Sequence, residues 1–263
     1  MSVLTVLRRA RLRALMACEL ANWREIWTAY SSESPMPPMR FRNGLVLHHG
    51  PRDSAGFLFF EIFANGCYRR GLPAVLSGDV VDIGANIGAF TLDAATRYPA
   101  ATVHAYEPDP RTFQVLRQNV EANGLSSRVR IWNEAVARES GTLRLWQGDG
   151  SVTASAYIQG AARGDFHDVP AVTLPAVAAR IQGRIGVLKL DCEGAEADIL
   201  ETAGAALDGV EYIVAEYHCA LVPDVVPRIR RALEPSFDVA VAEGQRCGPM
   251  LRARRTRTGG AGS

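Results

Sequence analysis

The feature that most constrains the fold is an apolar run that passes directly into a glycine-rich turn, VVDIGANIGAF at positions 80–90. Its β-branched residues are almost continuous, which is typical of a strand buried on both faces of a parallel sheet. Gly84 and Gly88 remove side chains where the backbone has to turn sharply and lie close to a ligand. The helix predicted from about position 90 to 98 would point its first backbone amides at that ligand.

An acidic turn, Tyr106-Glu107-Pro108-Asp109, follows the next apolar strand. Glu107 lies 25 positions after Asp82, and an acid at that strand end can accept both hydroxyls of a ribose. The glycine spacing is Gly-x-x-x-Gly, not the G-x-G-x-x-G that binds a pyrophosphate. Asp82 opens the turn with an acid, which suits a cationic amino-acid headgroup better than a phosphate. The pattern predicts S-adenosylmethionine as the cofactor, although glycines used only for packing would leave an ordinary strand–helix turn.

The composition is that of one globular α/β domain with an N-terminal extension. The chain has 263 residues, of which 48% are hydrophobic and 22% charged, and a net charge of +1. A charge so close to zero argues against nucleic acid as a partner. The cysteines are scattered without a C-x-x-C pair, which predicts reduced thiols in a cytoplasmic protein. No apolar run approaches the roughly 20 residues that span a bilayer.

Three regions are predicted along the chain: an N-terminal helical extension with a linker at 1–55, the main domain at 56–255 and a disordered tail at 256–263. Arginines alternate with leucines and alanines in residues 1–30, which predicts a basic amphipathic helix. We expect this helix to pack on its own domain or on a second subunit of a homo-oligomer. Attachment to an anionic membrane surface is the alternative.

From position 80 onward, predicted strands alternate with predicted helices, which is the pattern of a doubly wound α/β sheet. Seven strands whose last two form a hairpin resemble the Rossmann-like fold of class I methyltransferases, with a mostly parallel sheet. The predicted strands lie near 80–84, 102–107, 128–133, 185–191, 210–217, 236–242 and 248–254, and the helices near 88–98, 110–123, 175–182, 194–206 and 222–234. Further expectations are a hairpin around Asn43-Gly44, a helical lid at 57–63 leading to Tyr68, an antiparallel pair near 142–146 and 169–174, and a polar loop at 148–164.

A second apolar strand also ends in acids and a glycine, VLKLDCEGAE at positions 187–196. Lys189, the only lysine of the chain, and Asp191 would share one face of this strand because strand side chains alternate. Either charge would be costly to bury alone, so we expect an ion pair or a contact with a ligand. In the strand order expected for such a sheet, the strands that carry Asp82 and Asp191 are neighbours near the topological switch point, where ligands bind beyond the carboxyl ends of strands.

Glu216 and His218 end the following strand and are expected at the same rim as Asp191 and Glu193. Together these side chains predict a catalytic cluster above the sheet. Each of them also has a simpler interpretation. Asp191 could cap the next helix, and His218 could be a hydrogen-bonded structural residue. Glu196 could be a solvated acid in the first turn of that helix.

The order of these motifs resembles the FkbM family of S-adenosylmethionine-dependent methyltransferases. The resemblance covers about residues 56–220 and rests on the segments VVDIGANIGAF, AYEPDPRTFQVLRQNVEANGL, NEAV, VTLPAV, LKLDCEGAEADIL and IVAEYH. It implies O-methylation of a hydroxyl on a small molecule, either a natural product or a sugar moiety. The residues it implies are Asp82, Gly84, Asn86, Gly88, Glu107 and Pro108 around the cofactor, Asn133 and Ala135 near its adenine, Lys189, Asp191 and Glu193 at the reacting end, and Glu61 and Tyr68 closing over the methionine moiety.

A hydroxyl has to lose its proton to attack the methyl group, so the site needs a general base or a metal ion. We expect Asp191 or His218 to be the base, with Lys189 orienting the acid or stabilising oxyanion character. Oxygen ligands at the ends of these two strands could instead hold Mg²⁺, as in catechol-type methyltransferases. The metal-free route is favoured because one candidate is a histidine and no Asp/Asn pair follows the later strand.

Three other functions have to be separated from this one: a nicotinamide-dependent oxidoreductase on the same sheet, a nucleic-acid methyltransferase, and a non-catalytic cofactor-binding or membrane-attached protein. The missing G-x-G-x-x-G argues against the first. The near-neutral charge and the absence of an Asn/Asp-Pro-Pro-Tyr/Phe turn argue against the second. Retained catalysis after removal of residues 1–30 would argue against the third.

Overall fold

The computed structural model describes residues 3–32, 34–50, 55–147, 154–155, 166–243 and 247–256. The helices are α1 (Val3–Glu19), α2 (Trp23–Ser32), α3 (Ala55–Leu58), α4 (Ala89–Arg97), α5 (Pro110–Ala122), α6 (Leu174–Ala179), α7 (Glu196–Glu201) and α8 (Val225–Leu233). The strands are β1 (Met39–Arg40), β2 (Val46–Leu47), β3 (Asp79–Ile83), β4 (Val103–Tyr106), β5 (Val129–Trp132), β6 (Ala135–Val136), β7 (Gly141–Gln147), β8 (Ala154–Ser155), β9 (Phe166–Val172), β10 (Ile185–Leu190), β11 (Val210–Glu216), β12 (Phe237–Glu243) and β13 (Pro249–Arg255). The predicted helix at 194–206 is divided into α7 and a 3₁₀ segment, Gly204–Gly209.

The central sheet has seven strands in the order β12-β13-β11-β10-β3-β4-β5. Neighbouring strands from β11 to β5 run parallel, whereas β13 is antiparallel to both β11 and β12. The predicted mostly parallel sheet with a hairpin at one edge is therefore confirmed. Since β3 and β10 are direct neighbours, the two motifs that follow them meet at one edge of the sheet.

Helices cover both faces of this sheet, which explains the nearly continuous apolar run in β3. Val80 belongs to the core on one face, together with Phe90 of α4 and Leu116 of α5. Val81 and Ile83 belong to the core on the other face, which contains the buried apolar residues of α6, α7 and α8. Burial of alternate residues on opposite faces requires apolar side chains at nearly every position.

The N-terminal helices pack on the main domain. Leu12, Met16 and Ile26 belong to the same core as Phe59 of the lid, so packing of the first helix on its own domain is found within the described residues. The expected hairpin is present as β1 and β2, and the expected lid as α3 followed by a π-helical segment, Phe59–Ala64. Within the described ranges, no helix is long and apolar enough to cross a membrane.

The insertion between β5 and β10 forms a second sheet. The predicted antiparallel pair is present as β7 and β9, and two short strands extend it to the order β6-β9-β7-β8. Apart from residues 154–155, the predicted polar loop lies outside the described residues, and so does the predicted tail after Thr256. The insertion sheet adds a wall next to the carboxyl ends of the central strands.

The prediction of reduced thiols is wrong for two of the cysteines. Cys67 and Cys247 form a disulfide with their Cα atoms 5.3 Å apart, and both are buried. The bond fastens the residue before Tyr68 to the chain just before β13. Arg252 within β13 also donates a hydrogen bond to the backbone oxygen of Cys67 at 2.6 Å. The free cysteines are Cys18, Cys192 and Cys219.

Candidate active site

A cavity of about 370 Å³ lies beyond the carboxyl ends of β3, β4, β10 and β11. These strand ends form its floor, while the lid segment (residues 55–68) and the insertion sheet form its walls. Its size lies within the range of small-molecule sites. Open α/β sheets bind their ligands at this position.

Gly84 and Gly88 occupy positions that a larger residue does not fit. Gly84 has a φ of +73°, and a Cβ atom there would lie 1.8 Å from the backbone oxygen of Asp191. The turn after β3 therefore contacts the end of β10 directly. Gly88 has a φ of +90° and precedes α4, and a Cβ atom there would lie 2.6 Å from Cδ1 of Leu116. Gly84 and Asn86 line the cavity, whereas Gly88 packs behind its wall.

Asp82 does not reach the cavity, contrary to the expectation that it faces a cationic headgroup. Its exposed fraction is 0%, its Oδ2 accepts a hydrogen bond from the Thr91 hydroxyl at 2.6 Å, and its Oδ1 lies 3.0 Å from Nζ of Lys189. The strand register explains the pairing, because Lys189 stands directly beside Asp82 on the neighbouring strand. The acid neutralises a buried cation instead of contacting a ligand.

Lys189 ties the turn after β3 to the end of β10. Its Nζ donates a hydrogen bond to the backbone oxygen of Gly84 at 2.6 Å and lies 3.7 Å from Oδ2 of Asp191. Burial opposes the charge, but the carboxylates of Asp82 and Asp191 raise the pKa of Lys189 above its ordinary value. The predicted contact with Asp191 is present, although Asp82 is the closer partner.

Glu107 is buried at the cavity edge and is fixed by backbone donors. Its Oε2 accepts the Asn86 N–H at 2.9 Å, and its Oε1 accepts the Asp109 N–H at 2.9 Å. Burial raises the pKa of Glu107 to about 7, while these two hydrogen bonds oppose the shift. Asn133 does not line the cavity. Its side-chain amide donates to the backbone oxygens of Glu107 and Pro108 at 2.9 Å each. Asn133 thus fixes the acidic turn.

Tyr68 brings the lid into contact with the strand ends. Its hydroxyl lies 2.8 Å from Oδ2 of Asp191 and 2.9 Å from Oε2 of Glu216. The hydroxyl has one proton, so it can donate fully to only one of these carboxylates at a time. Burial and the charges of Glu216 and Asp191 raise the pKa of Glu61 to about 8. This acid end of the cavity therefore retains a proton near neutral pH.

His218 faces two carboxylates with one ring nitrogen and a third with the other. Its Nε2 lies 3.5 Å from Oε2 of Glu193 and 4.0 Å from Oδ1 of Asp191, and its Nδ1 lies 3.0 Å from Oε1 of Glu196. Burial opposes protonation, but Glu196, Glu193 and Asp191 raise the pKa of His218 to about 9. These carboxylates thus keep the imidazole charged near neutral pH when no other cation lies between them.

Glu196 belongs to the cluster around His218, although the sequence predicted no role for it there. It is not a solvated acid, since its exposed fraction is 0%. Besides contacting His218, its Oε1 accepts the N–H groups of Cys192 and Gly194 at 3.1 and 3.2 Å. These contacts fix the loop that carries Glu193, whose φ of +51° is uncommon for a residue with a side chain.

Most of the predicted site residues meet in this one cavity. Those that line it are Glu61, Tyr68, Gly84, Asn86, Glu107, Pro108, Ala135, Lys189, Asp191, Glu193 and His218. Three lie behind the wall and support it, namely Asp82, Gly88 and Asn133. Glu216 also lines the cavity, at the end that contains Tyr68.

The family profile described as "Methyltransferase FkbM domain" matches residues 82–236, which is more than half of the chain. The chain belongs to the FkbM family of methyltransferases. This FkbM-family protein is 32% identical over 212 residues to the 31-O-demethyl-FK506 methyltransferase FkbM of Streptomyces tacrolimicus, an alignment that covers 68% of this chain and 81% of that protein. It is also 38% identical over 92 residues to methyltransferase sdnD of Sordaria araneosa, covering 35% of each chain.

Two solved structures show which fold this FkbM-family protein shares. A methyltransferase FkbM from Methylobacillus flagellatus matches with a TM-score of 0.50 and 15% identity, over 95% of this chain and 60% of that chain. A putative rRNA methylase from Clostridium thermocellum matches with a TM-score of 0.50 and 10% identity, over 74% of this chain and 95% of that chain. Together with the strand order, these matches confirm the predicted Rossmann-like class I methyltransferase fold.

Proposed function

We propose that this protein is an S-adenosylmethionine-dependent O-methyltransferase that acts on a hydroxyl group of a small molecule, such as a natural product or a sugar moiety. The observation that carries the proposal is one cavity that holds both Glu107, at the ribose position of such folds, and the cluster of Asp191, Glu193 and His218. The relative from Streptomyces tacrolimicus is named for a 31-O-demethyl substrate, and this name supports transfer to an oxygen atom.

The surroundings of Glu107 suit a nucleoside without phosphates. Each of its carboxylate oxygens accepts one backbone N–H and keeps a lone pair for a ribose hydroxyl. Pro108 and Ala135 add apolar surface next to it, which suits an adenine ring. When bound, S-adenosylmethionine supplies a methyl group that its sulfonium already activates, so the protein has mainly to position donor and acceptor.

The acid end of the cavity supports removal of the acceptor's proton. Asp191 and Glu193 line the cavity, and a carboxylate there can accept the proton as the hydroxyl oxygen attacks. His218 holds the two carboxylates together from one side. Lys189 holds Asp191 from the other side, 3.7 Å away. The base in this proposal is therefore a carboxylate, and His218 is a positioning residue.

The remaining wall suits an acceptor that is partly apolar. Phe57 of the lid lines the cavity although 56% of its surface is exposed. Leu143 and Leu145 of the insertion sheet face the same space. Apolar walls with a few convergent polar groups are typical of sites that bind small organic molecules.

Calorimetric titration separates the proposed function from the oxidoreductase alternative. We expect S-adenosylmethionine to bind the purified full chain and NADH to leave the heat signal unchanged. Incubation with S-adenosylmethionine and extracts that contain candidate acceptors should then yield a product heavier by one methylene group, detected by mass spectrometry. Binding of NADH without binding of S-adenosylmethionine would overturn the proposal.

Replacement of Glu107 with glutamine should weaken binding of S-adenosylmethionine about 10- to 100-fold. A charged acceptor contributes about 1.5–3 kcal/mol to a hydrogen bond, and the amide cannot accept from two hydroxyls in the same way. The measurement is calorimetric titration of the variant against wild type. Glu134→Gln, at a cavity-lining residue that pairs with Arg180 on the surface, is the matched control and should bind within a few-fold of wild type.

The affinity for S-adenosylmethionine should depend on pH in wild type and much less in Glu107→Gln. The pKa of Glu107 rises from 4.5 to about 7 through burial, so its carboxylate is fully ionised only above that value. Affinity for S-adenosylmethionine should be level above pH 7 and fall by up to about tenfold per pH unit below it. In Glu107→Gln, this fall in affinity below pH 7 should be absent. An identical slope in both proteins would show that Glu107 does not contact the cofactor.

A further inference from the structure

We infer that Asp191, Glu193 and His218 form a binding site for a divalent transition-metal ion at the acid end of the cavity. Each residue offers one ligand atom, and the three atoms lie within 4.8 Å of one another. All three line the cavity, so an ion between them would be open to a small molecule. The inference concerns the site itself, while its role in activating a hydroxyl rests on the proposed function.

The mixed donor set determines which ion fits. Two carboxylate oxygens and one imidazole nitrogen suit Mn²⁺, Fe²⁺ or Zn²⁺, which accept both nitrogen and oxygen ligands. Mg²⁺ prefers oxygen ligands in octahedral geometry. The histidine that disfavours a catechol-type magnesium site is therefore the residue that favours a transition metal here.

Glu196 orients the histidine as metal sites require. Its Oε1 lies 3.0 Å from Nδ1 of His218, which leaves Nε2 facing Asp191 and Glu193. Metal-bound histidines almost always use their second ring nitrogen in this way, because the contact fixes both tautomer and ring direction. Glu196 is completely buried and lies outside the set of three ligands.

A buried oxygen next to the cluster lacks a partner. Glu61 is only 5% exposed, and its Oε1 has no hydrogen-bond partner within the described part of the chain. It lines the same end of the cavity as Asp191 and Glu216, while Lys189 is already paired with the buried Asp82. A water molecule bound to a cation at the cluster would supply the missing donor.

A metal ion at this place would contribute to the proposed reaction in a defined way. It would lie beside the acceptor hydroxyl and lower the pKa of that hydroxyl by electrostatic attraction to the oxygen. The hydroxyl proton would pass to the oxygen of Asp191 or Glu193 that does not bind the ion, since each residue offers one ligand atom. The oxygen forms a bond to the methyl carbon as the bond from sulfur to that carbon breaks.

Binding of Mn²⁺ to the full chain, stripped of metals by a chelator and free of S-adenosylmethionine, tests the site. The paramagnetic resonance signal of free Mn²⁺ should fall as the ion binds, with one site per chain. Glu193→Gln should weaken binding at least about 100-fold, since loss of a ligand costs more than loss of an outer partner. Glu216→Gln makes the same change of charge in the same cavity and should shift affinity less than about tenfold.

Two further measurements complete the test. Glu196→Gln should weaken Mn²⁺ binding about 10- to 100-fold with unchanged circular dichroism, and equimolar Mg²⁺ should not displace the ion. The inference is wrong if wild type leaves the Mn²⁺ signal unchanged, or if Glu193→Gln binds as tightly as Glu216→Gln. Calorimetric titration with S-adenosylmethionine in the presence of chelator is an independent test. If S-adenosylmethionine binds but Mn²⁺ does not, the metal site alone is overturned. If Mn²⁺ binds but S-adenosylmethionine does not, the proposed function alone is overturned.

Discussion

Replacement of Lys189 with methionine is expected to lower the free energy of unfolding by about 3–5 kcal/mol. The substitution keeps the apolar stem but leaves Asp82, whose exposed fraction is 0%, as a buried charge without its cation. It also removes the hydrogen bond from Nζ to the backbone oxygen of Gly84. Urea denaturation followed by circular dichroism measures the effect.

Two comparisons isolate the buried pair as the cause. Adding Asp82→Asn to Lys189→Met should restore part of the lost stability, because the uncompensated charge disappears while the amide can still accept from Thr91. Arg230→Met removes a cation from an exposed pair with Glu234 and should cost at most about 1 kcal/mol. The assignment would be contradicted if Lys189→Met were as stable as wild type. It would also be contradicted if the double variant lost the sum of the stabilities lost in the two single variants.

Asp191→Asn is expected to lower kcat about 10²- to 10⁴-fold, which is the contribution of a positioned general base. The substitution has almost the same shape as the native residue, and the amide oxygen can still accept from the Tyr68 hydroxyl. It removes the negative charge that lies 3.7 Å from Lys189, and with it the capacity to take a proton. Methyl transfer under saturating S-adenosylmethionine measures the effect.

The control for Asp191→Asn is Asp168→Asn in the insertion sheet, where the carboxylate pairs with Arg144 on the surface. This variant should turn over at the wild-type rate. Affinity for S-adenosylmethionine should change little in both, since Glu107 lies on a different strand end. Normal turnover of Asp191→Asn would remove this residue from the chemistry and leave Glu193 as the acceptor.

The sequence predicted the central sheet because every parallel strand carries its own local signal. β3 and β10 are apolar runs that end in acids and glycines, and each is followed by a helix. The adjacency of β3 and β10 was predicted from the strand order expected for the fold, and the rule for ligand sites in open sheets placed the site at their carboxyl ends. This adjacency places Gly84 next to Asp191, so most of the cavity floor could be predicted from the sequence.

The partner of Asp82 was predicted wrongly because it depends on the register between neighbouring strands, and a local sequence pattern does not contain that register. A carboxylate at a strand end looks the same in the sequence whether it meets a ligand or a buried lysine. Asp82 stands beside Lys189, and this pairing decides the matter. The only available signal was the single lysine of an arginine-rich chain, which indicated a special position without naming its partner.

Contacts between distant parts of the chain could not be predicted from the sequence either. Tyr68 meets Asp191 across 123 positions, and Cys67 meets Cys247 across 180. The sequence of the lid does not indicate which distant segment it contacts, since the lid packs by shape and burial. Glu196 escaped for a different reason, because an acid in the first turn of a helix is ordinarily exposed.

The disulfide also makes much of the molecule a closed ring. The chain from Cys67 to Cys247 begins and ends at one covalent bond, and it contains Tyr68, Glu107, Lys189, Asp191 and His218. A protease cut at one point within that ring leaves both pieces attached. On a denaturing gel, such a nicked molecule would keep its full mass until a thiol reagent is added, and only then separate into fragments.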